Sequence, residues 1–139
     1  MYWNAERDDG TTDAPPACIL PESYPFPSLE EQRGDDGSIY NYYRRAIAIR
    51  DALPVIARGS VTAETALNTG CISAQRKSWN AQSCILLMNI SSEEGQADLT
   101  DYADWLLTAT LTTSDAPVVQ EGTTLKLPAY AVAVLTPKE

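Results

Sequence analysis

Four adjacent carboxylate pairs, Asp8-Asp9, Glu30-Glu31, Asp35-Asp36 and Glu93-Glu94, are the acid–base groups this sequence sets side by side. A hydrolytic pair needs two carboxyls held roughly 5–9 Å apart across a cleft, one of them with a raised pKa. Consecutive residues in polar loops next to Gly or Ser supply neither that spacing nor that burial, so they read as solvated turns and helix caps. The chain has no histidine, which removes Ser-His-Asp and Cys-His nucleophile pairs and every His-containing zinc site. Cys18, Cys71 and Cys84 are odd in number, far apart and outside any C-x-x-C, so they read as buried thiols rather than as a disulfide framework or a zinc site.

Calcium prefers several loop oxygens. Asp8-Asp9-Gly10 and Asp35-Asp36-Gly37 offer few each, and neither runs on into a twelve-residue loop with a terminal Glu. The tryptophans are the other candidates, since an aromatic face can stack on the C–H face of a sugar ring. Trp79 and Trp105 fall at strand ends and read as core packing, whereas Trp3 lies in a loop segment and is the better ligand-facing candidate. Asn89-Ile90-Ser91 fits a glycosylation sequon, but at a strand end it reads as coincidence. The chain contains no phosphate-cradling glycine loop and no nucleophile elbow.

The elements that would position these residues differ along the chain. Its 139 residues (15.1 kDa) suit one domain, or one domain with an appendage. Nineteen acids against ten bases give −9, a field that repels phosphate backbones and argues against a nucleic-acid partner. Residues 1–37 hold nine acids and two bases, a net −7, and carry Pro15, Pro16, Pro21, Pro25 and Pro27. That is the composition of a long loop, yet Tyr2, Trp3, Ile19, Leu20, Tyr24, Phe26 and Leu29 look like anchors laid on another surface. No apolar run approaches the roughly 20 residues of a membrane span.

Residues 38–53 read as an amphipathic helix. Asp36 or Ser38 can cap it, Pro54 stops it, and Ile39, Tyr42, Ala46, Ile49 and Leu53 form a stripe flanked by Tyr43 and Ile47. That stripe is wide enough to call for a sizeable partner. From Gly59 onward the period is two, and strands are expected over 60–65, 72–79, 83–90, 98–101, 105–112, 123–127 and 130–136. The run Cys84–Met88 is apolar at every position, as in a strand covered on both faces. The sum is an antiparallel β-sandwich preceded by one helix and a Pro-rich loop. A hairpin turning at Asn80–Ala81 would put Cys71 opposite residue 90, which disfavours a disulfide to Cys84.

The order of these pieces resembles the C-terminal third of an α-amylase/α-glucosidase family enzyme, glycoside hydrolase family 13. Ser38, Asn41, Tyr42, Tyr43, Arg44, Ile47 and Arg50 match that family's "S-x-x-N-Y-Y-R-x-L-I-x-L-R" helix, the last helix of its (β/α)₈ barrel. Pro54 and Gly59 match the "N-P-x-x-x-x-G" exit into an all-β domain C, although Ala52-Leu53 replaces the polar pair usual before the proline. Met1-Tyr2-Trp3-Asn4 is similar to the segment after the eighth barrel strand. Leu127–Leu135 and Ser83–Ser91 are similar to two strands of domain C.

The resemblance implies three segments: residues 1–37 as a barrel loop, 38–53 as the last barrel helix and 54–139 as the sandwich. It makes Tyr2 and Trp3 the candidates for sugar contact on the substrate side. The catalytic Asp, Glu and Asp, and any calcium site, would lie on barrel strands before Met1, so this chain inherits no catalytic residue and no cofactor. The implied function is that of a barrel-supporting fragment of a retaining glycosidase acting on α-glucans or maltooligosaccharides, inactive by itself. Its implied partners are that barrel and its glucan, with self-association through the helix face when the barrel is missing. The alternative is a free-standing carbohydrate-binding or structural sandwich. The compartment stays open between cytoplasm and exterior, free thiols leaning slightly to the former.

Overall fold

The structure, a computed structural model, describes Trp3 and residues 26–138, which divide into two compact units, 1–44 and 45–139. Tyr2 lies outside the described residues, as do Asp8, Asp9 and Cys18.

In the first unit the loop segment contains a short helix, α1 (Leu29–Gly34), that the proline count hides. Its start is a capping box. The Ser28 hydroxyl accepts from the Glu31 N–H at 3.2 Å, and the Glu31 carboxylate accepts from the Ser28 N–H at 2.7 Å. Helix α2 (Ile39–Ala52) follows, within a residue of the expected span at each end. Ser38, not Asp36, is its cap, for its hydroxyl accepts from the Asn41 N–H at 3.2 Å. Pro54 ends α2 and also begins α3 (Pro54–Arg58), sitting at a first-turn position where no N–H is needed.

The second unit carries eight strands, all paired antiparallel: β1 (Ser60–Ala63), β2 (Ile72–Trp79), β3 (Gln82–Asn89), β4 (Gly95–Asp98), β5 (Trp105–Leu111), β6 (Val119–Glu121), β7 (Thr124–Leu127) and β8 (Val132–Pro137). They form a five-stranded sheet in the order β1-β2-β3-β8-β5 and a three-stranded sheet in the order β4-β7-β6. Ile72, Ala74, Ile85, Leu87, Ala133 and Leu135 of the larger sheet share one core with Ala97, Leu125 and Leu127 of the smaller. The expected sandwich is therefore what forms.

The continuous apolar run of β3 is covered on both faces. Ile85 and Leu87 enter the inter-sheet core. Cys84 and Leu86, with Val134 of β8, pack on the opposite side with Ile49, Leu53, Val55 and Ile56. A register shift in β5 between Leu107 and Ala109 reverses the alternation. Leu107 then joins the inter-sheet core while Ala109 joins the helix-side cluster.

Gly59, at the end of α3, is where the chain turns close against β2. A Cβ there would stand 2.5 Å from the Val55 carbonyl oxygen and 3.0 Å from the Ser78 nitrogen, so only glycine fits. That gives the Pro54-to-Gly59 spacing a physical meaning: a proline that starts one helical turn and a glycine that lets its end approach the sheet.

Two expectations need correction. The strand expected over 98–101 ends at Asp98, whose carboxylate accepts from the Thr100 N–H at 2.9 Å and hydroxyl at 2.6 Å. That turn winds residues Thr100–Tyr102 into a 3₁₀ helix instead. Strand β6 has no counterpart in the periodicity, being three exposed residues long. The hairpin places Cys71 beside Ile90, whose N–H donates to the Cys71 carbonyl at 2.9 Å, and Cys84 opposite Lys77. Both thiols are free, as the register requires.

Candidate functional site

In the first unit three buried polar side chains, Gln32, Ser38 and Asn41, tie α1 to the start of α2. The Asn41 amide donates to the carbonyls of Gln32 (3.0 Å), Arg33 (3.4 Å) and Asp35 (2.9 Å). These include the end-of-helix carbonyls that α1 cannot satisfy itself. The Ser38 hydroxyl donates to the Gln32 carbonyl at 2.6 Å. Gln32 in turn donates from its amide to the Pro27 carbonyl at 3.1 Å and accepts from the Tyr40 N–H at 3.2 Å. Arg44 donates to the side-chain Oδ1 of Asn41 at 3.0 Å, and the guanidiniums of Arg33 and Arg44 each lie 5.7 Å from the centre of the Tyr40 ring. The Ser-x-x-Asn spacing thus caps one helix with the serine and closes the preceding one with the asparagine.

The clamped segment holds the candidate rim. The Glu30 N–H donates to the Trp3 carbonyl at 3.0 Å, which fixes Trp3 at the start of α1. The Trp3 side chain is 47% exposed, and Phe26, two residues before the Ser28 cap, is 55% exposed. Phe26 is among the expected anchors, and composition does not show that it is open to solvent.

Of the carboxylate pairs described, none forms a facing catalytic couple. Glu31 serves the capping box, and Asp35 accepts from the Gly37 N–H at 2.9 Å in a turn. Glu93 and Glu94 are exposed next to a strand start. Among the described residues no three His, Cys, Asp or Glu side chains gather where they could hold a metal ion. Trp79 and Trp105 are half-buried, packed on the helix-side and inter-sheet clusters respectively. Arginines cover them: Arg58 lies 5.0 Å from the Trp79 ring and Arg76 4.8 Å from the Trp105 ring.

Arg76 also pairs with Glu64 at 2.7 Å, and the Tyr102 hydroxyl donates to the same carboxylate at 2.7 Å. The Arg76 hydrogen bond holds the Glu64 carboxyl below its ordinary range. Burial, then the Glu64 bond, pushes the Tyr102 phenol up to about 12. The sequon asparagine is structural. Asn89 is buried, and its amide donates to the carbonyls of Glu93 (2.7 Å), Leu127 (3.0 Å) and Pro128 (2.8 Å). Its carbonyl oxygen accepts from the Ser91 N–H at 3.0 Å and hydroxyl at 2.9 Å. The Asn-x-Ser spacing is a corner clamp.

Of the expected stripe, Tyr42, Ala46, Ile49 and Leu53 are half-buried, Ile49 and Leu53 against the helix-side cluster, while Ile39 is exposed; much of the rest of α2 is uncovered. Asn41 is its only buried residue, while Ile39, Tyr43 and Ile47, spaced four apart in one row, are 66%, 62% and 46% exposed. No helix among the described residues is long and apolar enough to cross a membrane.

No protein-family model matches the chain. A probable alpha-glucosidase of Rhizobium meliloti is 28% identical over 99 residues, which are 71% of this chain and 18% of that protein. A probable oligo-1,6-glucosidase 2 of Bacillus subtilis is 32% identical over 60 residues, 43% of this chain and 11% of that protein. Among solved structures, Eubacterium rectale Amy13B superposes with a TM-score of 0.77 at 33% identity, over 82% of this chain and 22% of its own. The chain therefore spans only about a tenth to a quarter of the length of the proteins it matches. By sequence over part of its length and by fold over most of it, this chain matches a portion of the enzymes of the α-amylase/α-glucosidase family, glycoside hydrolase family 13.

Proposed function

We propose that the chain is the C-terminal part of a retaining glycoside hydrolase that acts on α-glucans or maltooligosaccharides. In this reading residues 1–37 form a loop on the substrate side of a (β/α)₈ barrel, 38–53 its last helix and 54–139 a supporting sandwich. Tyr2 and Trp3 contact sugar. The catalytic carboxylates belong to the preceding barrel of the same polypeptide, and the 139 residues alone do not hydrolyse. The observation that carries the reading is the row Ile39–Tyr43–Ile47, exposed on a helix whose only buried residue is a polar one. Ile49 and Leu53 of this stretch pack on the sandwich, but the Ile39–Tyr43–Ile47 row does not, and a helix gains most of its stability from packing its apolar face, which the last helix of a barrel would do on the barrel. The short span relative to the matched enzymes agrees.

The test is the reading frame upstream of Met1. It should stay open for several hundred codons and encode Asp, Glu and Asp on strand-like segments. The extended protein should cleave an aryl α-glucoside, and the 139-residue chain should not. A stop codon just upstream, behind a ribosome-binding site, sinks the proposal in favour of a free-standing carbohydrate-binding or structural sandwich.

A further inference from the structure

We propose that Thr108 is a guard, an extra residue set into the outer strand β5 that keeps a second copy of this chain from adding its own β5 along the same edge. The inference goes beyond the reading above and does not rest on it, for every residue it uses lies in the second unit.

The two sheets leave four outer strands among the described residues, β1 and β5 on the larger sheet and β4 and β6 on the smaller. A short edge offers little to pair with. Strands β1 and β4 have four residues each and β6 has three, whereas β5 has seven, with Leu106, Thr108 and Thr110 exposed. Residues 105–114 carry no charge, no proline and no glycine, in a chain of net −9. Uncharged runs rich in aromatic and β-branched residues are the ones that pair with copies of themselves. This strand fits its own copy. An antiparallel pairing centred on residue 108 sets Trp105 opposite Leu111 and Leu106 opposite Thr110, so no like charges meet along it. A charged extended partner finds no counter-charge there.

Thr108 interrupts that edge. Leu107 pairs with Leu135 and Ala109 with Val134, which leaves Thr108 without a partner on β8, the extra residue of a bulge. Its hydroxyl shares a 2.6 Å hydrogen bond with the Thr136 hydroxyl and bonds the Leu106 carbonyl at 3.2 Å, which holds the kink in place. The bulge is not needed to place the core. Without Thr108, Leu107 and Ala109 would be consecutive and still opposite the consecutive Leu135 and Val134. They would still point to opposite faces, Leu107 to the inter-sheet core and Ala109 to the helix-side cluster. What the extra residue changes is the outer edge, where the bend breaks the regular row of backbone donors and acceptors that another strand requires.

The test deletes Thr108 from the 139-residue chain, with Ile47→Lys in every sample so that the α2 row takes no part. The deleted chain should still unfold cooperatively in urea. Its mass by light scattering should rise toward twice 15.1 kDa, at a concentration at least tenfold below any rise in the parent with Thr108. The rise should stop there, because a strand paired with its own copy closes at two. Amide exchange over 105–111 should slow as the dimer forms, and Thr110→Lys, a charge on the exposed edge, should reverse both effects. Thr108→Val keeps the chain length but loses both hydroxyl bonds. It should dimerise at a concentration between those of the deletion and the parent, and it decides the outcome where the deletion does not fold. The inference is overturned if the deleted chain folds and stays as monomeric as its parent, or if its assembly is open-ended or indifferent to Thr110→Lys. With an unfolded deletion, it is overturned if Thr108→Val assembles no more readily than the parent.

Discussion

Glu64 shows how a single side chain can bind separate parts of the sandwich. Its carboxylate accepts from Arg76 of β2 and from Tyr102 of the 3₁₀ helix before β5, and its N–H donates to the Ala74 carbonyl at 3.0 Å. The Arg76 bond depresses the Glu64 pKa, so this stabilisation is present above the unfolded carboxylate value and is lost as pH falls through the folded one. Tyr102 behaves oppositely. With its phenol raised to about 12 from an ordinary value near 10, its contribution is complete below about pH 10 and disappears between there and 12. We expect Tyr102→Phe to lower stability by about 1.5–3 kcal/mol at neutral pH, the worth of a bond to a charged acceptor. It should also move the Glu64 midpoint upward and flatten the alkaline limb above pH 10. Urea unfolding from pH 3 to 11.5 checks this, and an alkaline limb unchanged in Tyr102→Phe would refute it. Nothing in the sequence points to this triad, because its members are 12 and 26 residues apart and meet only through the fold. Asn89 is similar. The sequon pattern made it visible for the wrong reason, and only the carbonyls of residues 93, 127 and 128 reveal its role.

At the scale of elements, legibility followed the strength of the local signal. Helix α2 has an apolar period, a serine cap and a terminating proline, and all three agree on its limits. The strands β2 and β3 and their turn are equally plain, since Trp79-Asn80-Ala81-Gln82 joins an alternating run to a continuous apolar one. Helix α1 was missed because five prolines dominate residues 15–27, although Ser28-x-x-Glu31 just beyond them is a capping-box signature. Strand β6 is too short to show a period. The placement of β8 between β3 and β5 is a long-range pairing that no local pattern encodes.

The β2–β3 turn carries its own prediction. Asn80 and Ala81 both have positive φ, 48° and 62°, as a two-residue hairpin of this hand requires. Asparagine tolerates that region, but alanine pays a steric cost that glycine does not. Ala81→Gly should raise stability by about 0.5–1 kcal/mol after its extra unfolded-state entropy is subtracted. The rise should appear as a higher urea midpoint with an unchanged slope. A lower midpoint would mean that the Ala81 methyl packs in a way its exposure does not suggest.

For the molecule as a whole, the uncovered row on α2 decides how the chain behaves alone and within a longer polypeptide. Full burial of Ile39, Tyr43 and Ile47 would release roughly 1.5–3 kcal/mol per side chain. Because the three are only 66%, 62% and 46% exposed, two copies pairing through this row gain about 5–10 kcal/mol. Association between free molecules costs about 4–15 kcal/mol, so any pairing is weak. A barrel joined to the helix by the chain itself faces no such cost, because tethering acts as an effective concentration of the order of millimolar or above. On the proposed reading, the same surface would be covered in a barrel-containing protein and would pair in the 139-residue chain. Ile47→Lys separates these states. In the 139-residue chain it should abolish any concentration-dependent rise in mass measured by light scattering and leave the unfolding free energy within about 0.5 kcal/mol, because the site is exposed. In the barrel-containing protein it should instead lower the unfolding free energy by several kcal/mol, through a charge buried without a partner. A chain that stays monomeric at millimolar concentration, together with a longer protein indifferent to the substitution, would show that this row faces solvent in both and would remove the main support for the parent enzyme.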